Sequence, residues 1–333
     1  MAGQDLSQDP LKDLSIPYIN RLGGYDLALA GPYQQQQVTW RVFVLGARHD
    51  ALQATCDRYL KNGKVRYVPF FPKGLVLLTM LDMQRVTAGN QALGFMHEID
   101  CAFHIPVRAD GSPSPRVFMP YVFVNDVWPM TTGRDVFGFR KEIARSFSDH
   151  ADDDAVQGAH ELTHVDASVI PAPGDKLQRR RVVDVRGPVT PPVFQSGAGA
   201  HGWLQDLWNL LFAAERDILT ALLALLRPGN AVLSPRVVFL KQQRDTFAQD
   251  RACFQQVFEA AFQLKAADFR GAHRRAADEF EISVQSYASH PIVEELGLAG
   301  LGERQAALVP KLVVDLAWDF SLPTPPSGGL GSA

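Results

Sequence analysis

The sequence predicts an α+β fold, mainly antiparallel, built around one curved sheet or barrel. Three observations lead there: many short runs alternate apolar and polar residues, few stretches keep a long helical period, and no regular strand–helix–strand succession occurs. The composition supports a sizeable core, since 46% of the 333 residues are apolar and 21% charged, against globular averages of about 45–50% and 25%.

Taken in order, residues 1–36 read as a polar leader running into Gln34-Gln35-Gln36-Gln37. One domain is expected over 37–322, with a helical insertion at about 196–232 and a flexible tail from 323 to 333. TWRVFVLG (39–46) is strand-like. Asp50 can cap a helix to about Leu60, with Leu52, Cys56, Tyr59 and Leu60 on one face. Residues 65–82 hold two further strands parted by Pro72-Lys73-Gly74.

The clearest strand is 93–107, LGFMHEIDCAFHIPV. Its odd positions are apolar except for His97. Its even positions carry Met96, Glu98, Asp100, Ala102 and His104. Successive side chains of a strand point to opposite faces. Glu98, Asp100 and His104 therefore share a face, which is either solvent or a polar cavity.

VFMPYVFVN (117–125) is another strand. The spacing of Phe139, Ile143 and Phe147 predicts a short helix over 140–148. An acidic loop at 150–158 precedes a hairpin around Pro171-Ala172-Pro173-Gly174, with Arg179-Arg180-Arg181 on a solvated strand. Residues 203–227 carry the strongest helical stripe, stopped by Pro228-Gly229 and suited to an oligomer contact. Strand-like runs VVFLKQQ, EFEISVQSY and LVVDLAWDF complete the chain, around a Phe-rich stretch at 247–269.

Several functions are disfavoured. Lys plus Arg (33) against Asp plus Glu (36) gives a net charge of −3, without the basic footprint of a nucleic-acid binder. No run approaches the ~18 apolar residues of a membrane span. The polar N-terminal stretch has no signal-like apolar segment, and a cytoplasmic protein is expected. Three scattered cysteines, Cys56, Cys101 and Cys253, suggest no disulfide framework and read as small core hydrophobes. His160-Glu161-Leu162-Thr163-His164 matches a zinc-hydrolase pattern. Its flanks read as the start of a strand, so no metal is expected. Phosphate-cradling glycine loops and a G-x-S-x-G elbow do not occur.

The most informative stretch is MPYVFVNDVWPMTTGRDVFGFRKEIARSF, 119–147. A strand runs through Asn125-Asp126 into a turn, then Thr132-Gly133-Arg134-Asp135, then Gly138-Phe139-Arg140-Lys141-Glu142. This resembles the signature of the acetoacetate decarboxylase family, without gaps from about Met119 to Ile143. His104-Ile105-Pro106-Val107 resembles the family's strand end. Phe239-Leu240-Lys241-Gln242 and Ser289-His290-Pro291 fit more loosely. The resemblance plausibly covers 38–320.

It implies a barrel-like α+β fold, a homo-oligomer, and a Lys that forms a Schiff base with a keto acid. By position that Lys is Lys141. Free lysine has a pKa near 10.4, so only about one side chain in 2,500 is neutral at pH 7. Lowering the pKa to about 7 takes about 4.6 kcal/mol, which desolvation can supply and a helix N-terminus can assist. The family is itself the standing example of such activation.

By the same resemblance, Asp100 or Glu98 handles protons or orients the substrate carboxylate, and Phe139, Val122, Phe123, Glu142 and Arg134 belong to the pocket. Read from the residues alone, Asp100 partners Arg134 or His104, and Arg134 holds its own turn by pairing with a carboxylate. This chain departs from the family at Glu142, where a second Lys is usual, and at Arg140, where a Pro is usual. The family's upstream Arg and Glu fall near Val38–Arg41 and near Thr79, without clear matches. The expected protein is a Schiff-base carbon–carbon lyase acting on a small keto acid or related carbonyl compound, without a cofactor. The alternative is a catalytically silent relative that binds or assembles.

Overall fold

The computed structural model describes residues 28–61, 65–89, 94–145, 161–188, 194, 232–298 and 304–323. The expected leader, the 203–227 helix and the tail lie wholly or largely outside them. Seventeen strands occur among the described residues. The first eight are β1 (Tyr33–Gly46), β2 (Tyr67–Pro69), β3 (Leu75–Thr87), β4 (Met96–Ala109), β5 (Pro115–Val124), β6 (Lys141–Arg145), β7 (Glu161–Val169) and β8 (Gln178–Arg186). The rest are β9 (Val232–Leu233), β10 (Arg236–Arg244), β11 (Ala252–Ala261), β12 (Leu264–Lys265), β13 (Phe269–Arg275), β14 (Glu281–Gln285), β15 (Gln305–Leu308), β16 (Leu312–Trp318) and β17 (Phe320–Leu322). The helices are short: α1 (His49–Tyr59), α2 (Val127–Thr132) and α3 (Ile292–Leu296). Among the described residues no helix is long and apolar enough to cross a membrane.

Fifteen strands form one curved sheet in the order β13-β16-β1-β3-β4-β5-β6-β7-β8-β14-β15, with β2, β10, β11 and β17 joined at its sides. Pairing is antiparallel except at β5, which runs parallel to β6 and to β10. The predicted α+β architecture is therefore the observed one.

The sheet separates two apolar clusters. One gathers Phe43, Leu45, Cys101, Phe103, Ile105 and Phe123 and is covered by α1 and α3 through Leu52, Cys56, Ile292 and Leu296. The other gathers Val44, Ala102, Val122, Val124, Phe137, Phe139 and Phe239. Strand alternation creates the division: Cys101 and Phe103 face one way, Ala102 the other. Each fully buried side chain of this size contributes about 1.5–3 kcal/mol, so both faces hold the sheet in register.

Four local expectations change. The leader's glutamines belong to β1, where Tyr33 and Gln35 are buried. Asp50 lies in the first turn of α1 rather than capping it, the cap position being Arg48. Residues 141–145 form a strand rather than a helix, because pairing with Val122–Val124 prevails over the i, i+4 pattern and leaves Ile143 exposed. Cys56 and Cys101 are buried as expected, but Cys253 is exposed. Glu161–Val169 is a strand, as its flanks suggested. His160 and the Glu161 side chain lie outside the described residues.

Candidate active site

The site grows from the segment between β5 and β6. Asp126 caps α2 by accepting from the Trp128 backbone N–H at 3.0 Å. The helix widens into a single π turn over Gly133–Phe137 and ends at Gly138, whose φ of 85° suits glycine. A Cβ on Gly138 would stand 2.7 Å from the Lys241 Cα, so the turn is also packed against β10. The chain then enters β6 at Lys141.

Gly133 has another task. A Cβ there would lie 2.6 Å from Lys141 Cδ. The missing side chain makes room for the lysine stem, and Arg134 Nη1 donates to the Lys141 carbonyl oxygen at 3.1 Å. The G-R-D segment thus places Lys141 from two sides. Arg134 is exposed and works through the backbone, not through the carboxylate pair expected from the sequence.

Lys141 points into a cavity of about 240 Å³. One wall is the even-numbered face of β4, with Met96, Glu98, Asp100, Ala102 and His104 all lining it. The polar face read from the sequence is therefore a cavity wall and not a solvent face. Lys141 Nζ forms an ion pair with Glu98 and lies 3.5 Å from Asp100 Oδ2. It also sits 5.5 Å from the centre of the Phe139 ring. Lys141 and Glu98 are 7% and 5% exposed, so this charge cluster is almost sealed from bulk water.

Burial alone would push the Lys141 ammonium down. Asp100 and Glu98 together outweigh it, and the net direction is upward. This reverses the expected lowering, and no helix N-terminus assists because Lys141 begins a strand. Burial, with the Glu98 charge adding to it, holds the Asp100 carboxyl well above the usual carboxylate range, against the pull of Lys141. Asp100 therefore holds a proton more readily than a solvated carboxyl group does. His104 lies 2.7 Å from Thr79 Oγ1 through Nε2, and burial pulls its pKa down to about 4.

Val122 and Phe139 line the cavity as expected. Phe123 and Glu142 do not. Phe123 packs in the opposite cluster against the His290 ring, with centroids 6.3 Å apart. Glu142 follows Lys141 on a strand and so faces the other way, where His290 Nε2 donates to its Oε2 at 2.6 Å. It cannot perturb the lysine by contact. Asp100 meets Lys141 rather than Arg134 or His104. Arg41 faces away from the cavity, whereas Thr79 lines it. Gln35, also on the cavity wall, escaped the sequence reading, since it lay in a run taken as leader.

No protein-family model matches the sequence, and no curated protein matches it. Solved structures do. Acetoacetate decarboxylase from Legionella pneumophila subsp. pneumophila strain Philadelphia 1 is similar with a TM-score of 0.55 and 14% identity, over 94% of this chain and 92% of that one. A second acetoacetate decarboxylase structure is similar with a TM-score of 0.50 and 12% identity, over 94% of this chain and 96% of the other. By architecture the chain is a curved-sheet α+β protein with a lysine-bearing cavity. Its fold is that of acetoacetate decarboxylase.

Proposed function

We propose that the protein is a carbon–carbon lyase that forms a Schiff base between Lys141 and a small keto acid or related carbonyl compound. The observation that carries this reading is a buried lysine amine against two carboxyl groups inside an apolar cavity. Lysines are normally solvated unless paired, and a strongly perturbed charge cluster that lines a cavity marks a candidate chemical site.

The steps follow from the cluster. The Lys141 ammonium passes a proton to Glu98, and the freed Nζ lone pair attacks the carbonyl carbon. One proton moves from the attacking nitrogen to the oxygen and Asp100 supplies a second, so the oxygen leaves as water, giving an iminium. From a β-keto acid, the bond to the carboxylate breaks, its electron pair moves into the iminium, and CO2 departs from an enamine. Aldol or dehydration chemistry uses the same iminium. Protonation of the enamine carbon and addition of water return the amine.

Borohydride trapping tests the reading. Acetoacetate, pyruvate and longer carbonyl compounds are each incubated with the protein, and intact mass is read after reduction. A reduced adduct that disappears in Lys141→Ala is expected. Because the amine is held cationic, trapping should accelerate about tenfold per pH unit until the pH passes the lysine's pKa. The upward direction of the Lys141 shift favours one competing reading, a silent binding protein in which the ion pair never opens. The absence of any adduct even at about pH 11, past the pKa of an ordinary lysine, would favour that reading instead.

A further inference from the structure

We propose that the site takes an uncharged carbonyl compound, a ketone or aldehyde with an apolar body, in preference to a keto acid carrying a free carboxylate. This inference rests on the Schiff-base reading of Lys141 and narrows its substrate class.

Charge count is the first argument. Among the described residues, the charged side chains that reach the cavity are Lys141, Glu98 and Asp100. Two carboxyl groups already compete for one ammonium, with Glu98 ion-paired to it and Asp100 Oδ2 3.5 Å away. A substrate carboxylate would add an anion where the single cation is already paired with Glu98, in a place where apolar walls from Val42, Leu81, Met119, Val122 and Phe139 weaken screening. His104 adds no compensating charge near neutrality, because burial draws its pKa down to about 4.

Hydrogen-bond capacity points the same way. Gln35 Oε1 is a buried acceptor without a partner among the described residues, and Gln35 belongs to the cavity wall. Gln35 is only 4% exposed. Unpaired acceptors are satisfied by a donor such as a hydroxyl group. A carboxylate has only acceptors to offer.

An uncharged substrate has no CO2 to lose, so the bond opened by the iminium is the Cα–Cβ bond of a β-hydroxy carbonyl compound. Asp100, a carboxylate after giving its proton to the departing water, takes the hydroxyl proton. The Cα–Cβ electron pair moves into the iminium, an aldehyde leaves, and an enamine remains. Asp100 then protonates Cα, and water releases the shorter ketone. The reverse sequence is an aldol addition, and neither direction needs an oxidant or reductant.

The test is borohydride trapping of the full chain at pH 7.5 with 5-oxohexanoate and its methyl ester. Three methylenes separate ketone from carboxyl group in both, so the intrinsic electrophilicities match and the charge is the variable. The ester is expected to label Lys141 at least about tenfold faster, since like-charge juxtaposition in a desolvated site is costly. In Glu98→Gln, which removes the carboxylate paired with the ammonium, the acid should gain on the ester. Labelling by the acid as fast as by the ester would overturn the inference while leaving the Schiff base standing. Labelling by neither would overturn both.

Discussion

Two buried charge clusters occupy opposite faces of the sheet. On the face of Phe43 and Leu45, Asp315 accepts from Arg41 and from Arg275, the latter at 2.7 Å. On the cavity face, Lys141 meets Glu98 and Asp100. The first cluster holds two cations and one carboxyl group, the second one cation and two carboxyl groups. The decisive difference is the cation. Guanidinium does not lose its proton in a protein, and its planar donors fix a carboxylate in place. A lysine amine can be deprotonated, and a free amine is a nucleophile. One face therefore carries a permanent clasp between strands and the other a cluster able to move protons.

The sharpest way to break this comparison is to remove one member from each cluster. Asp315→Asn removes the carboxylate that Arg41 and Arg275 share and should cost about 3–5 kcal/mol. That cost should be the same at pH 5 and pH 8, because the arginines stay charged. Lys141→Met leaves two carboxyl groups without their cation. Asp100, already held high by burial, then loses the opposing pull of the ammonium and rises further above its unfolded value, so stability is retained at low pH and lost as pH rises. Urea titrations of both variants at the two pH values check this. Identical pH responses would erase the distinction.

His104 supplies the next effect. Its folded pKa of about 4 lies below the unfolded value near 6.5. Its contribution is full above pH 6.5 and is lost as pH falls toward 4, amounting to about 3 kcal/mol. His104→Gln, which keeps a donor for Thr79, should flatten the acid limb of the stability curve. An unchanged limb would place the acid sensitivity elsewhere.

Smaller effects probe how Lys141 is held. Gly133→Ala sets a Cβ against the lysine stem and should slow trapping about tenfold with little change in melting temperature, since Gly133 is already helical. An unaltered trapping rate would show that the stem has room to spare. Glu142→Gln should leave trapping within about twofold, because Glu142 contacts His290 on the far face. A large effect would mean that the two faces communicate through β6.

Much of this was legible in the sequence, and for identifiable reasons. The period-2 pattern of residues 96–107 sorted Glu98, Asp100 and His104 from Cys101 and Phe103, and the structure keeps those two sets on opposite faces. Lys141 itself was singled out by resemblance, since nothing in its spacing marks it as buried. The same segment misled on conformation. Phe139, Ile143 and Phe147 imitate a helical period, but β5 offered residues 141–145 a strand to pair with. That pairing sends Glu142 away from the cavity, where it meets His290.

The sequence by itself determined which residues share a strand face, because alternation is a local property of the chain. Only the tertiary structure decided which face closes over a cavity. It also decided that Lys141 meets Glu98, 43 residues earlier, and that their attraction outweighs the desolvation of the amine. Those outcomes depend on the register between β4, β5 and β6, which is fixed by packing on both faces of the sheet at once.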